Sequence, residues 1–418
     1  MEYSHRYLAS PNKEIAERLE HHIDVHRQAY NFARHEYTNL PDDTRPTSAY
    51  SHHDRLTEWK QQFPIFKEAH SKALQRTVTR FYRNLSNLSK KKDNGHRVGM
   101  LKWKPPREYR SMTYSQSGFK LNNTSGRTAT LWLSKIGEFP IRYHRPIPDD
   151  TTIKEVTVKM ETTGKWFVSF ALETDTDYPE KPTVETLDTT NSVGLDLGIT
   201  NYLYTSDGTS VGWLELEDDY ERLRKAQRSL SLKQKGSRSY DKQQLVVAKR
   251  KRAIRRKVLD FQHKLSTWLV REYDAVFVED LDVKLMLEAP QNARNKQTAA
   301  WRQFIDLLEY KGNLYGTHVV QVDARGTTKE CSQCGVETAK PLWVREHLCP
   351  ACGLSADRDA NAAMNVLQRG FSAIGVGCSE STPVETALST DTHSVSAKRV
   401  VESGSPVLNE RVSASRAG

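Results

Sequence analysis

Two CxxC pairs, Cys331/Cys334 and Cys349/Cys352, stand 14 residues apart and constrain how this part of the chain can fold. Each CxxC turn directs two thiolates at one point, and Gly335 and Gly353 permit the tight backbone after each pair. Four thiolates favour tetrahedral zinc. A closed four-ligand site leaves no position for a reacting water, so this zinc is expected to be structural. A redox CxxC pair and four unrelated cysteines are the competing readings. The module is too short to bury a core, so metal would hold it together. Five cysteines in 418 residues do not make a disulfide framework. The pattern implies a reducing compartment, and a cytoplasmic protein is expected. No run of about 18 apolar residues occurs, so no membrane partner is expected.

Three carboxylates form the second constraint. Asp196 lies in "VGLDLG" and Glu279 in "VFVEDL", both expected on buried strands. Asp359 lies in "DRDANAA", at the expected start of a helix. Alone, each acid could be a cap, a buried hydrogen-bond acceptor or a surface charge. A buried carboxylate is costly unless it is paired or holds a metal. Oxygen donors suit Mg or Mn, and two such ions about 4 Å apart clamp both oxygens of an in-line phosphodiester displacement. One ion would then activate water and the other stabilise the leaving 3′ oxygen. Strand alternation sends Asp280 to the face opposite Glu279, so Glu279 is the preferred ligand. Asp357 stays open between a helix cap, an orienting group and a ligand.

The periodicity orders the rest of the chain. Residues 11–37 are predicted helical, with Ser10 as cap and Pro11 at the first position. A polar loop is expected over 42–55 and a second helix over 64–89. Period-two alternation through Trp166, Val168, Phe170 and Leu172 places strands in a small β-domain over 98–176. An acidic, Thr- and Pro-rich linker precedes three short strands, a long helical region at 217–273, and strands at 275–281 and 317–323 separated by a helix near 299–312. Three strands, then helix, strand, helix and strand, match an RNase H-like nuclease core. The 371–418 tail carries ten serines and no sustained apolar period, and is expected to be disordered, with Cys378 a free thiol.

The net charge is +10. Such an excess suits a polyanion partner. Between Arg222 and Lys264 there are 16 Lys and Arg against two acids, Asp241 and Asp260. Arg250, Arg252, Arg255 and Arg256 are candidates for nucleic-acid phosphates, and Lys90, Lys91 and Lys92 form a second candidate group. Trp132, Tyr143 and Trp166 are expected in the core, and His263 is expected to be structural.

The stretches "VGLDLGITN", "FQHKLSTWLVREYDAVFVEDL", "GTTKECSQCG", "CPACG" and "DRDANAAMN" resemble the TnpB (OrfB) family of insertion-sequence-encoded proteins, relatives of type V CRISPR effectors. "AYNFAR", "LSKIGEFPIRYHRPIP" and "IKEVTVKMETTGKWFVSF" match more loosely. The resemblance implies a multidomain α+β protein whose RuvC-like nuclease core is interrupted by a zinc ribbon. It implies a wedge-like small β-barrel (1–10 and 98–176), a helical recognition domain (11–97) and a linker (177–191). The nuclease would occupy 192–326 and 356–370, the zinc module for target nucleic acid 327–355, and the tail 371–418. It further implies a guide RNA from the end of the mobile element and double-stranded target DNA cut beside a short flanking motif at one site. By matching motifs, Asp196, Glu279 and Asp359 would be the catalytic acids, and Cys331, Cys334, Cys349 and Cys352 the zinc ligands. A non-cleaving zinc-containing regulator or transposition accessory protein is the alternative reading. A guide-free nuclease or resolvase is a third.

Overall fold

Alternation of apolar and polar residues builds the sheet of the N-terminal unit, Met1–Asp177. In this computed structural model the described residues are 1–418 except 107, 199, 281–299, 340–343, 376–393 and 396–418. Strands β1 (Glu2–Ala9), β2 (Ser111–Ser115), β3 (Phe119–Ser125), β4 (Thr128–Leu133), β5 (Gly137–Arg142), β6 (Thr151–Met160) and β7 (Trp166–Thr174) pair antiparallel in the order β2-β6-β7-β1-β5-β4-β3. Helices α1 (Lys13–Asn39) and α4 (Ser71–Asp93) share one core with that sheet: Leu19, Ile23 and Tyr30 meet Leu74, Val78, Phe81, Tyr114 and Leu131 there.

Three local expectations are corrected here. Asn12, not Ser10, caps α1: its side chain accepts from Ile15 N at 2.8 Å. Ser10 N is still engaged with the sheet, bonding Pro140 O. The second long helix begins at Ser71, because Pro64–Lys67 forms a separate single turn that buries Phe66. The expected loop at 42–55 contains helix α2 (Ala49–Asp54), followed by α3 (Leu56–Gln62). A buried carboxylate recruits both: Glu36 accepts from His52 Nε2, Arg55 Nη2 and Trp59 Nε1 at 2.9–3.1 Å. Trp132 is half-buried, Tyr143 and Trp166 are buried, and His263 O accepts from the buried Lys311 Nζ.

The C-terminal unit, Tyr178–Gly418, is built on a different sheet. Strands β8 (Ser192–Asp196), β11 (Ala275–Asp280) and β12 (His318–Asp323) are parallel, in the order β12-β11-β8. Strands β9 (Leu203–Thr205) and β10 (Ser210–Val211) continue it antiparallel, and Ser394–Val395 pairs with β10. Helices α5 (Glu217–Ser231) and α6 (Arg238–Glu272) lie between β10 and β11, and α7 (Trp301–Tyr315) lies before β12. Val193, Leu195, Val276 and Val278 face one core, against Phe261, Leu265 and Leu269 of α6 and Phe304 and Leu308 of α7. Ala275, Phe277 and Val322 face the other, against Val366, Leu367 and Phe371 of α8 (Arg358–Ala373).

The sheet is therefore covered on both sides. Gly194 lets α8 lie against it: a Cβ there would sit 2.2 Å from Ala363 O and 2.5 Å from Leu367 N. Leu187, in the stretch expected as linker, is buried beside Ala275 and Phe277. Cys378 and the tail, apart from Gly375 and its preceding helix end and Ser394–Val395, lie outside the described residues. Among the described residues no helix is long and apolar enough to cross a membrane.

Candidate active site and metal centre

Strand alternation brings two of the acids together. In β8, Gly194 faces α8, so Asp196 two residues later faces the same way. In β11, Phe277 packs with Phe371 of α8, and Glu279 follows it by two. Val278 pairs with Leu195, so the next positions in that parallel register are Glu279 and Asp196. Both acids thus sit at the carboxyl ends of adjacent parallel strands, where open α/β sheets form their sites. Asp280 is exposed. The third acid comes from α8, whose cap is Asp357: its Oδ1 accepts from Asp359 N at 2.8 Å and Ala360 N at 3.3 Å. That cap sets Asp359 in the first turn, on the positive end of the helix dipole.

Asp196, Glu279 and Asp359 are only 6%, 5% and 4% exposed. Burial pushes the Asp196 carboxyl well above the usual range, and the nearby Glu279 and Asp359 charges push it further. Arg358 and Arg345 oppose this. Glu279 is raised to about 7, chiefly by burial. The hydroxyl of buried Thr327 donates to its Oε1 at 2.7 Å and restrains the shift. Asp359 is bound on both oxygens: Arg345 Nη2 donates to Oδ2 at 2.6 Å and Arg358 Nη2 to Oδ1 at 3.0 Å. Three buried, mutually repelling carboxylates are a donor set of hard oxygens, which fits a Mg or Mn ion. Buried Tyr204, opposite Asp196 in the sheet, shares this field; its phenol is raised to about 12 by burial and by Asp357 and Asp359.

The cysteines meet without help. Cys331, Cys334, Cys349 and Cys352 hold their sulfurs within 4.8 Å of one another, the only such group of His, Cys, Asp or Glu among the described residues. Two sulfur pairs lie 3.6 and 3.5 Å apart. A tetrahedron with Zn–S of about 2.3 Å has edges of about 3.8 Å, so the four fit a zinc ion. Gly335 and Gly353 take φ of +74° and +76° after the two pairs, a conformation that glycine adopts without strain.

Backbone and amide side chains join the two centres. Strands β13 (Glu346–Leu348) and β14 (Ser355–Asp357) form a ribbon that runs from the second cysteine pair to α8, and Arg358 N bonds Arg345 O at 2.6 Å. Asn361 Oδ1 accepts from Ser332 N at 2.9 Å, and its Nδ2 donates to Glu330 O at 2.7 Å. Asn365 Nδ2 donates to Thr327 O and Glu330 O, and Gln368 Nε2 to Ser332 O.

Comparison with known proteins bears on this architecture. The profile of a family described as "Probable transposase" (OrfB of IS605) matches residues 167–289, and that of "Cas12f1-like, TNB domain" matches 301–366. A Streptomyces pristinaespiralis protein named "Putative RNA-guided DNA endonuclease" is 35% identical over 379 residues, covering 89% of this chain and 90% of that protein. The chain belongs to the TnpB (OrfB) family. A second relative, "Putative RNA-guided DNA endonuclease InsQ" of Escherichia coli K12, is 27% identical over 77% of this chain and 80% of its own length. A solved Cas12f1-sgRNA-target DNA complex contains a chain of similar fold, with a TM-score of 0.54 at 14% identity, covering 85% of this chain and 82% of that one.

The basic candidates of this TnpB-family chain lie on separate elements. Arg250, Arg255 and Arg256 are exposed on α6 and Arg252 is half-buried there, while Lys90, Lys91 and Lys92 are exposed in the last turn of α4. Sequence reasoning missed Arg345, Thr327, Tyr204, Asn361 and Asn365. Only the asparagines carried a signal: their i, i+4 spacing sets two amides on one face of α8.

Proposed function

We propose that this chain is an RNA-guided DNA endonuclease of a transposable element, cutting target DNA beside a short flanking motif at one RuvC-like site. The observation that carries this reading is the convergence of three buried carboxylates at the ends of β8, β11 and the first turn of α8. The relatives named RNA-guided DNA endonucleases support it. Asp196, Glu279 and Asp359 are the catalytic acids. One or two Mg or Mn ions held by them would supply the charge that activates water and stabilises the leaving 3′ oxygen. Thr327 holds Glu279 Oε1, and Asp357 holds the backbone of Asp359. The four cysteines hold a structural zinc. Residues 11–97 serve as recognition domain, 1–10 with 98–176 as wedge, and 192–326 with 356–370 as nuclease around the 327–355 zinc module. The guide is transcribed from the element's own end, and Arg250, Arg252, Arg255, Arg256 and Lys90–Lys92 contact nucleic-acid phosphates.

The test is co-expression with the RNA from the native locus, followed by Mg²⁺-dependent cleavage of plasmids carrying the matching target. Wild-type protein should linearise the matched plasmid, and Asp196→Ala should not. Target binding without any nicking by wild type would replace this reading with the regulatory one. Undiminished cleavage by Asp196→Ala would refute the catalytic assignment.

A further inference from the structure

Tyr202 and Tyr204 stand on either side of Leu203 at the start of β9, and both are buried. Their surroundings differ. Tyr202 packs edge-on against Trp213, Phe261 and Phe304, and Gln262 Nε2 donates to its hydroxyl at 2.9 Å. Leu203 joins the same core. Alternation turns Tyr204 to the other face of the sheet, where it stands opposite Asp196 of β8. Opposite residues of an antiparallel pair share a face, so the phenol points the way the acid points.

Tyr204 is 4% exposed but joins neither apolar core of the sheet. Among the described residues its ring has no aromatic neighbour and its hydroxyl no hydrogen-bond partner. A buried hydroxyl without an acceptor is costly, and phenylalanine would fill the same space without that cost. The neighbouring acids are otherwise engaged. Asp359 accepts from Arg345 and Arg358, Asp357 Oδ1 from the backbone of α8, and Asp207 from Thr205 and Tyr273. Burial and the charges of these three carboxylates push the phenol up to about 12, so it stays a donor. Asp357 is exposed, so this side of the site faces solvent. A phosphodiester entering there brings non-bridging oxygens that need donors as charge gathers on them.

We propose that Tyr204 is a catalytic residue whose phenol donates a hydrogen bond to one non-bridging oxygen of the scissile phosphate. This rests on the nuclease reading for the reaction and adds a residue to it.

The test uses full-length protein with its guide RNA, a matched DNA duplex and Mn²⁺ throughout. Tyr204→Phe removes the hydroxyl alone. It should slow single-turnover cleavage by about 100-fold. Guide-directed target binding by gel shift, Mn²⁺ affinity by electron paramagnetic resonance and the melting temperature should all stay at wild-type values. Once a cut is mapped, sulfur replaces either non-bridging oxygen of that scissile phosphate. Sulfur accepts hydrogen bonds poorly, so the diastereomer with sulfur toward Tyr204 already lacks the contact. On that diastereomer the penalty of Tyr204→Phe should largely vanish, and on the other it should persist. Such non-additivity marks a direct contact, which a structural role would not produce. Cleavage by Tyr204→Phe at the wild-type rate would overturn the proposal. So would equal penalties on both diastereomers, which would put the hydroxyl off the phosphate. Weakened Mn²⁺ binding in Tyr204→Phe would overturn it in favour of a part in arranging the acids. Failure of the nuclease reading has a different signature: wild type with guide and metal leaves the matched duplex uncut.

Discussion

The two candidate metal centres lie a few residues apart in sequence and are prepared in opposite ways. The four thiols already sit within 4.8 Å of one another, brought there by two turns and a two-stranded ribbon. The three carboxylates are gathered by the sheet and α8 but are not drawn into such a cluster, and Arg345 and Arg358 occupy both oxygens of Asp359. The difference follows from charge. Thiols ionise less readily than carboxylates: burial pushes Cys331 up to about 12, while backbone hydrogen bonds bring Cys349 down to about 6, so the backbone can bring the four together at less electrostatic cost. Carboxylates repel, so burying three requires counter-cations until a metal replaces them. One centre is a staple, and the other is a charged site held in check.

The sharpest way to break this comparison is to remove one ligand from each side. Asp359→Ala should lower cleavage by at least about a thousandfold while leaving guide-directed DNA binding near wild type. Gel-shift and cleavage assays on the same preparations separate the two effects. Binding lost together with cutting would make the acid structural and erase the contrast. Cys352→Ser should instead reduce zinc content, lower the melting temperature by ~10 °C or more, and cost binding and cleavage together. Full zinc occupancy in that variant would remove the staple from the argument.

The bridge between the centres comes next. Asn361 and Asn365 tie the loop at the first cysteine pair to the helix that carries Asp359. Asn361→Ala should cost about 10- to 100-fold in cleavage with zinc retained, the scale typical of outer-sphere metal-site partners. Mn²⁺ titration followed by electron paramagnetic resonance should show the same loss of affinity. Cleavage and Mn²⁺ affinity both equal to wild type would mean that the centres are neighbours without coupling.

The two centres also differ in how legible they are in the sequence. The cysteines announce themselves by spacing alone. The strand and helix positions of Asp196, Glu279 and Asp359 were legible because each follows an apolar run or opens a small-residue helix. Their shared face needed only the period of two in β8 and β11 and the glycine at position 194. What stayed hidden depends on contacts distant in sequence. Thr327 reaches Glu279 from 48 residues away and Arg345 reaches Asp359 from 14, and no periodicity encodes either. The polar stretch expected as a loop at 42–55 is helical because Glu36 is buried and needs His52, Arg55 and Trp59 around it. There tertiary satisfaction of one carboxylate overrode local composition.

Loosening the restraint on Asp359 should have a smaller effect. Arg345 is half-exposed, so its attraction is partly screened by water. Arg345→Gln should therefore tighten Mn²⁺ binding by only about 2- to 5-fold, since the ion would displace one cation fewer. Weaker Mn²⁺ binding in that variant would show that Arg345 supports the loaded site rather than competing with metal.

The smallest expected effect tests the electrostatic premise directly. Glu279 has an ordinary value of 4.5 and is raised to about 7 in the folded chain, chiefly by burial, and Asp196 is raised as well. A carboxyl raised on folding is most favourable to the native state when neutral. Its contribution is fully present below about pH 4.5 and is lost as pH rises through about 7, where the folded state must carry the buried charge. Other carboxylates titrate over the same range, so the informative quantity is a difference between variants. In chelator-treated protein retaining its zinc, Glu279→Gln should match wild type in melting temperature near pH 4.5. It should exceed wild type by a few degrees near pH 8. Mg²⁺ should narrow the gap at pH 8 by stabilising wild type, because the added ion supplies the charge that the buried acids lack. The cysteine centre predicts the reverse pH trend, since thiolate ligands must lose protons to hold zinc and acid releases the metal. A wild-type minus Glu279→Gln difference that stays flat from pH 4.5 to 8, with and without Mg²⁺, would mean that the acids carry no repulsion for a metal to relieve. The contrast between a thiol staple and a restrained charged site would then have no physical basis.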